Sequence, residues 1–408
     1  MDDYKIERLG HQGDGIAAGP VFVPRVLPGE RVQGIRNGDR LSDVKIIEPS
    51  DLRVAAVCKH YKNCGGCQLQ HAAEPFVAEF KQQIVQSALD AHGIETEFLP
   101  IVTSPAKSRR RATFAVRRTK KGALWGFHAR ASDTVIAVPE CQLVVPELLQ
   151  ISPLMDDLAS IGGSRKAEMS VNVTLSEVGL DVLVTGGKPL DQALTIGLSG
   201  VVEKHKLARL TWDEEVIGMR NPPHQQFGAA KVAPPPGAFL QATRHGQDAL
   251  VSAVMKAVDG ARGVDLFAGC GTFTLPLAAR SEMLGVEGDK AMIAALDSGW
   301  RRAVGLKKVA AVARDLFRRP LMPDEFKHFD FAVLDPPRAG AQAQIAEIAK
   351  SALAQVAYVS CNPVTFARDA KALIEAGFSL DWVQVVDQFR WSSHVELVGK
   401  FSRSHMQR

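Results

Sequence analysis

Apolar positions in residues 1–50 come in short runs, GIAAG, VFVPRVLPGE and VKIIEPS, separated by glycine, proline and aspartate. That spacing predicts about five short strands and an OB-like barrel, with an unspecialised β cap as the plainer alternative. Periodicity then lapses over 51–73, a glycine-rich stretch carrying three cysteines. In PFVAEFKQQIVQSALDAHG, Phe76, Phe80, Ile84 and Leu89 form an apolar stripe, Pro75 sits near the start and Gly93 follows the end. This predicts a helix over 75–92. Residues 110–220 alternate with period two, as in RATFAVRR and VNVTLSEVGLDVLVTGG, and read as mainly β. The segment NPPHQQFGAAKVAPPPGAF breaks that pattern and reads as a boundary. From about residue 238, strand-like and helix-like stretches alternate, which predicts an α/β domain on a largely parallel sheet. The expected units are a barrel over 1–54, a mainly β central domain over 55–225 and an α/β domain over 226–408. Helix 75–92 is expected to pack on the last of these.

A chain of 408 residues exceeds one ordinary core, in keeping with this division. No apolar run reaches the roughly 18 residues of a membrane span. The start, MDDYKIERLG, lacks the basic and apolar regions of a signal peptide. The expectation is a cytoplasmic monomer with no membrane association. The net charge of +4 permits a polyanionic partner without requiring one, so its distribution matters more. Residues 107–121, KSRRRATFAVRRTKK, hold eight Lys or Arg and no acid. Such a stretch can neutralise phosphates, and the alternative is a charged strand edge that prevents pairing.

GVDLFAGCGTFTLPLAA (263–279) reads as a strand, a glycine loop and a helix start, with Gly269 and Gly271 allowing close approach of backbone to a ligand. A second apolar strand ends in Glu287, 22 residues after Asp265, where a carboxylate can accept from ribose hydroxyls. The loop lacks the full pyrophosphate fingerprint, so a cofactor without phosphates fits better. DLFAGCGTF followed by VE resembles motifs I and II of class I S-adenosylmethionine (SAM) methyltransferases. By that resemblance Phe267, Gly269, Gly271, Thr272 and Glu287 hold the cofactor, and Asp315 in ARDLF contacts its adenine.

FDFAVLDPPRAG ends a strand in Asp335-Pro-Pro-Arg338, where two prolines fix the loop at a sheet's ligand-binding edge. Arg338 stands where amino-group methyltransferases carry an aromatic residue. AQVAYVSCNPVTFARD places Cys361 between a strand and a helix, the position of an exposed nucleophile; a buried inert thiol is the plainer reading. Glu396 in SSHVELVGKF starts a late apolar strand. Uracil C5 is a weak nucleophile until a thiolate adds to C6, and the C5 proton must later be removed, so that reaction needs a cysteine, a base and SAM together. D-P-P-R, S-C-N-P and H-V-E, in this order, resemble the RNA uracil-C5 methyltransferase family over nearly the whole chain. The resemblance implies Cys361 as nucleophile, Glu396 as proton acceptor, Asp335 at the SAM–substrate junction and Gln241, in AFLQAT, on SAM. It also implies a Rossmann-like class I SAM methyltransferase domain, an N-terminal OB-like barrel and a mainly β central domain. LGHQGDGIA with FVPRVLPGERV further resembles the RNA-binding TRAM domain.

Cys58, Cys64 and Cys67 follow C-x5-C-x2-C, and Cys141 stands downstream in VPECQLV. Four thiolates suit zinc or a [4Fe–4S] cluster, and spacing does not separate the two. CKHYKNCGGC resembles the iron–sulfur motif of the 23S rRNA branch of the family, which favours the cluster and 23S rRNA. A tRNA substrate and a catalytically silent iron–sulfur RNA-binding protein are the alternatives. The set Gly269, Gly271, Asp335, Cys361 and Glu396 speaks against the silent protein.

Overall fold

The computed structural model describes residues 2–403. Strands β1 (Asp2–Leu9), β2 (Gly15–Ala17), β3 (Val21–Val23), β4 (Arg31–Asn37) and β5 (Arg40–Glu48) close a barrel in the order β1-β2-β3-β5-β4. Its interior is filled by Ile6, Ala17, Val21, Val23, Val26, Val32 and Leu41. So tight a barrel leaves no room at Gly34, where a Cβ would stand 2.6 Å from Leu41 Cγ and from the Ser42 carbonyl oxygen.

A loop with the first three cysteines leads to α1 (Glu74–Asp90) and β6 (Glu97–Thr103). The buried face of α1 is Val77, Phe80, Lys81, Val85 and Leu89. The expected stripe differs: Phe76 and Ile84 lie at the rim, packed with Leu69 and Leu27 beneath the barrel. Val85, Leu89 and Ile94 enter the core of the C-terminal domain.

The central sheet runs in the order β13-β12-β11-β10-β7-β8-β9. It comprises β7 (Arg111–Arg118), β8 (Ala123–His128), β9 (Val135–Ile136), β10 (Met169–Ser176), β11 (Gly179–Thr185), β12 (Arg209–Trp212) and β13 (Glu215–Met219). Helices α2 (Ser152–Gly162) and α3 (Gln192–Lys204) cover a core of Phe114, Val171, Val173, Val182, Val184 and Trp212. The hairpin β14 (Gln225–Phe227) and β15 (Ala230–Val232) follows.

The C-terminal domain alternates α4 (Arg244–Ala257), β16 (Arg262–Leu266), α5 (Thr274–Leu277), β17 (Glu282–Glu287), α6 (Lys290–Arg302), β18 (Val309–Ala313), β19 (Phe331–Leu334), α7 (Gln342–Lys350), β20 (Gln355–Ser360), α8 (Pro363–Glu375), β21 (Ser379–Asp387) and β22 (Glu396–Ser402). Its sheet order is β18-β17-β16-β19-β20-β22-β21-β6. The pairs β16–β17, β17–β18, β16–β19 and β19–β20 are parallel, and β22 runs antiparallel to both its neighbours. Strand order reverses between β16 and β19, and in such sheets the crevice beyond the strand ends takes the ligand. One departure from the expected division is clear: β6 pairs in parallel with β21, so β6 belongs to this sheet and not to the central one.

The basic stretch is also corrected. Arg110 is buried, and its guanidinium donates to the Gln241 carbonyl, Gln225 Oε1 (3.2 Å) and Gln247 Oε1 (2.8 Å). Arg111 donates to the Leu240 carbonyl. These arginines tie the central sheet to the entry of the C-terminal domain. Among the described residues, no helix is long and apolar enough to cross a membrane.

Candidate active site

The loop after β16 opens one wall of a cavity of about 800 Å³. Phe267 adopts a left-handed conformation (φ 64°), rare without glycine, and so turns the chain across the strand ends. Gly269 donates its N–H to Glu287 Oε2 at 3.0 Å, linking the ends of β16 and β17. Asp265 accepts from Thr274 Oγ1 at 2.6 Å through one oxygen, while its other oxygen is buried without a partner. Asp315, after β18, lies on the same cavity, and Phe317 beside it packs against Phe267 at 5.4 Å between ring centroids. Thr272, Glu287 and Asp335 line the cavity too. Two expected cofactor residues stand differently. Gly271 (φ 95°) does not line it, and a Cβ there would meet Leu275 and Leu296. Gln241 is buried behind the wall.

The Asp335-Pro-Pro-Arg338 loop is fastened from behind. The Arg338 carbonyl accepts from Asn362 Nδ2 (2.8 Å) and Thr365 Oγ1 (3.2 Å), and Asp369 accepts from the Ala341 N–H (2.8 Å). Asn362 also caps α8 by accepting from the Val364 N–H, which holds Cys361 at the helix N-terminus. Arg338 donates to His394 Nδ1 at 2.9 Å, so the His394 proton sits on Nε2.

The ladder of β20 and β22 pairs Ser360 with Leu397, and the next antiparallel step sets Cys361 across from Glu396. Both line the cavity. Burial, together with the charges of Glu396 and Asp335, pushes the Cys361 thiol up to about 11, against the opposing effect of Arg338. Glu396 is raised well above the ordinary carboxylate range by burial and then by Asp335, with Gln388 and Arg338 opposing. Burial, with Asp265 and Glu287, pushes Asp335 up to about 8. A cavity ringed by buried carboxyls favours a cation, and a thiol facing a carboxyl suits nucleophilic addition followed by proton removal.

Motifs did not reveal the opposite wall. Gly65, Gly66 and Gln68 from the cysteine loop, Arg109, and Phe389 and His394 from the loop before β22 complete it. His394 opens the H-V-E motif and Gly65 and Gly66 lie within CKHYKNCGGC, but neither motif indicated that they share one wall.

Cys58, Cys64, Cys67 and Cys141 are free thiols lying close together. Burial, and secondarily Cys141, Cys64 and Cys58, pushes Cys67 up to about 12. Among the described residues, however, no group of three or more His, Cys, Asp or Glu side chains is disposed to hold a metal ion. The expected ligand set is therefore a gathering of thiols and not a formed cage. The physical reason is that burial keeps these groups as neutral thiols, and a thiol becomes a metal ligand only when it gives up its proton to the cation it binds.

Residues 236–403 match a family model described as tRNA (Uracil-5-)-methyltransferase. An RNA methyltransferase of Mesorhizobium japonicum is 42% identical, covering 99% of this chain and 99% of the relative. A 23S rRNA (uracil(1939)-C(5))-methyltransferase of a Marinomonas species is 31% identical, covering 97% of this chain and 93% of the relative. The structure of a Pyrococcus abyssi tRNA (uracil-54, C5)-methyltransferase with S-adenosyl-L-homocysteine superposes with a TM-score of 0.75, covering 98% of this chain and 99% of that one. At 22% identity this is a likeness of fold.

Proposed function

We propose, from the premise that this chain belongs to the RNA uracil-5-methyltransferase family and methylates RNA from SAM, that it makes 5-methyluridine in 23S rRNA through a covalent intermediate on Cys361. The observation that carries this reading is the register that sets Cys361 across from Glu396 on one cavity. The Cys361 thiolate adds to uracil C6, and the electron pair moves through the ring to give an enolate with a nucleophilic C5. The Phe267–Thr272 loop with Glu287 and Asp315 would hold SAM, which would supply the methyl group to C5 from its sulfonium and leave as S-adenosylhomocysteine. Glu396 takes the C5 proton, the C6–S bond breaks and the Cys361 thiolate leaves. Because burial holds Cys361 protonated at neutral pH in the free protein, addition requires that its proton leave as the uridine arrives. The target base must leave its stack to reach a thiol at the cavity floor.

The relative acting on 23S rRNA and the CKHYKNCGGC motif support rRNA as substrate. Mass spectrometry of rRNA and tRNA from a deletion strain tests it: 5-methyluridine missing from 23S rRNA is the expected result, and loss from tRNA alone would reverse the assignment.

The four grouped soft thiols support a [4Fe–4S] cluster on Cys58, Cys64, Cys67 and Cys141. Protein purified without oxygen is expected to be brown and to carry about four irons per chain. Stoichiometric zinc without iron would overturn the cluster while keeping the ligands.

A further inference from the structure

The H-V-E stretch supplies a proton acceptor in Glu396, and two residues before it His394 lines the same cavity. Its imidazole is held in one orientation. Arg338 Nη2 donates to the ring Nδ1 at 2.9 Å, and a guanidinium has no lone pair to offer, so the proton of the neutral ring is on Nε2. The Phe389 ring packs against the imidazole edge to face at 5.9 Å between centroids, and the Arg109 guanidinium lies 5.9 Å from the Phe389 centroid. The backbone N–H of His394 donates to Ser392 Oγ at 3.2 Å. Arg338 is itself fixed at its carbonyl by Asn362 and Thr365. The Nε2–H has no protein partner among the described residues, and His394 is exposed where it borders the cavity. Burial, with the charges of Arg338, Lys81 and Arg109, holds His394 below the ordinary imidazole range, so the ring is uncharged at neutral pH.

Addition of a thiolate to C6 moves charge onto oxygen. As the S–C6 bond forms, the C5–C6 π pair shifts to join C5 and C4, and the C4–O4 π pair moves onto O4. A hydrogen-bond donor fixed in advance beside that oxygen lowers the barrier. Cys361 and Glu396, facing one another, address C6 and C5. C4 is the next atom round the ring, and the next donor along the chain from Glu396 on this cavity is His394. We propose that His394 is a further catalytic residue, whose Nε2–H hydrogen-bonds uracil O4 and stabilises the enolate formed when Cys361 adds to C6. The proton stays on nitrogen, and the charge returns from O4 to the ring as C5 takes the methyl group. The hydrogen bond is strongest while O4 is charged, so it acts on turnover more than on RNA binding. The proposal deepens the covalent reading and rests on it.

The test uses an RNA fragment carrying the uridine that mass spectrometry of the deletion strain maps, made with uridine, 2-thiouridine or 4-thiouridine at that position. Sulfur accepts hydrogen bonds poorly and holds negative charge well, so 4-thiouridine depends least on a donor at O4. His394→Phe keeps a ring against Phe389 and removes the donor. On uridine and on 2-thiouridine its kcat is expected to fall about 100-fold, with KM for RNA and S-adenosylhomocysteine affinity within about threefold of wild type. On 4-thiouridine the loss is expected to shrink to about tenfold or less. His394→Gln, which retains an N–H donor, is expected to recover about tenfold over His394→Phe on uridine. Wild-type kcat in His394→Phe, an equal loss on all three substrates, or a loss that shrinks only with 2-thiouridine would each overturn the proposal. If His394→Phe does not fold, His394→Ala is read on the same substrates by the same criteria. Cys361→Ala separates the two claims. Methylation by Cys361→Ala removes the covalent reading and the proposal with it, whereas an inactive Cys361→Ala beside a fully active His394→Phe removes only the proposal.

Discussion

Asp335 and Asp265 are carboxyls held away from their ordinary range. Burial, with Asp265 and Glu287, pushes Asp335 to about 8, and burial, with Glu287, pushes Asp265 to about 7. For an acid raised on folding, the stabilising contribution is fully present below the unfolded value. It is lost as pH rises through the folded one. The cofactor-free protein is therefore expected to lose thermal stability as pH rises from about 4 to about 8, with Asp335→Asn recovering about 3 °C of the loss, read by thermal unfolding. A cationic sulfonium reverses the preference and draws the carboxylates out. SAM affinity is expected to rise roughly tenfold from about pH 6 to pH 8, and that of neutral S-adenosylhomocysteine far less, by calorimetry. Equal pH dependence for the two would show that these carboxyls do not sense the sulfonium. At this scale Cys361, Glu396 and Asp335 were legible because chemistry demands particular residue types in particular motifs. The orientation of His394 was not, since its partner Arg338 lies far off in sequence and a hydrogen bond across the fold leaves no periodic trace.

Between β21 and β22, the loop that carries Phe389 and His394 is held in large part by elements from the first quarter of the chain. Lys81 of α1, fully buried, pairs with Asp387 and donates to the Phe389 carbonyl at 3.0 Å. Glu74 pairs with Arg390, and the Gln68 and Leu69 N–H groups donate to the Trp391 carbonyl. Lys81→Met strands Asp387 in the interior and is expected to cost about 3–5 kcal/mol in a denaturant melt. A loss under 1 kcal/mol would show that Asp387 finds another partner. The basic stretch divides in the same physical way. Arg110→Met leaves Gln225 and Gln247 without their donor, and about 2 kcal/mol of stability is expected to go. RNA affinity of the folded fraction should hold. Exposed Lys120 and Lys121 are the phosphate candidates, and their replacement by Glu is expected to weaken RNA binding and flatten its salt dependence. Alternation identified β7 as a strand but carried no information on which arginines face a domain boundary. Strand β6 was missed because EFLPIVT alternates poorly and its partner β21 is far downstream.

Across the whole molecule, pieces from distant parts of the chain meet at one cavity. The C-terminal domain supplies the cofactor loop, Cys361 and Glu396, while the cysteine loop and Arg109 wall the other side. The five-stranded barrel is tied to the turn after β8 through Arg130 and Asp14, paired at 2.6 Å. Domain types were readable from periodicity, but this convergence depends on tertiary packing, which local pattern does not encode. The central claim is covalent catalysis by the facing pair. Its most direct measurement is a denaturing gel of the enzyme with labelled RNA carrying 5-fluorouridine, where fluorine at C5 prevents proton removal. A slower enzyme–RNA band is expected with the wild type, and Glu396→Gln is expected to give the same band on ordinary RNA. Both bands should vanish when Cys361 is also replaced by Ala. Full methylation by Cys361→Ala would contradict the account.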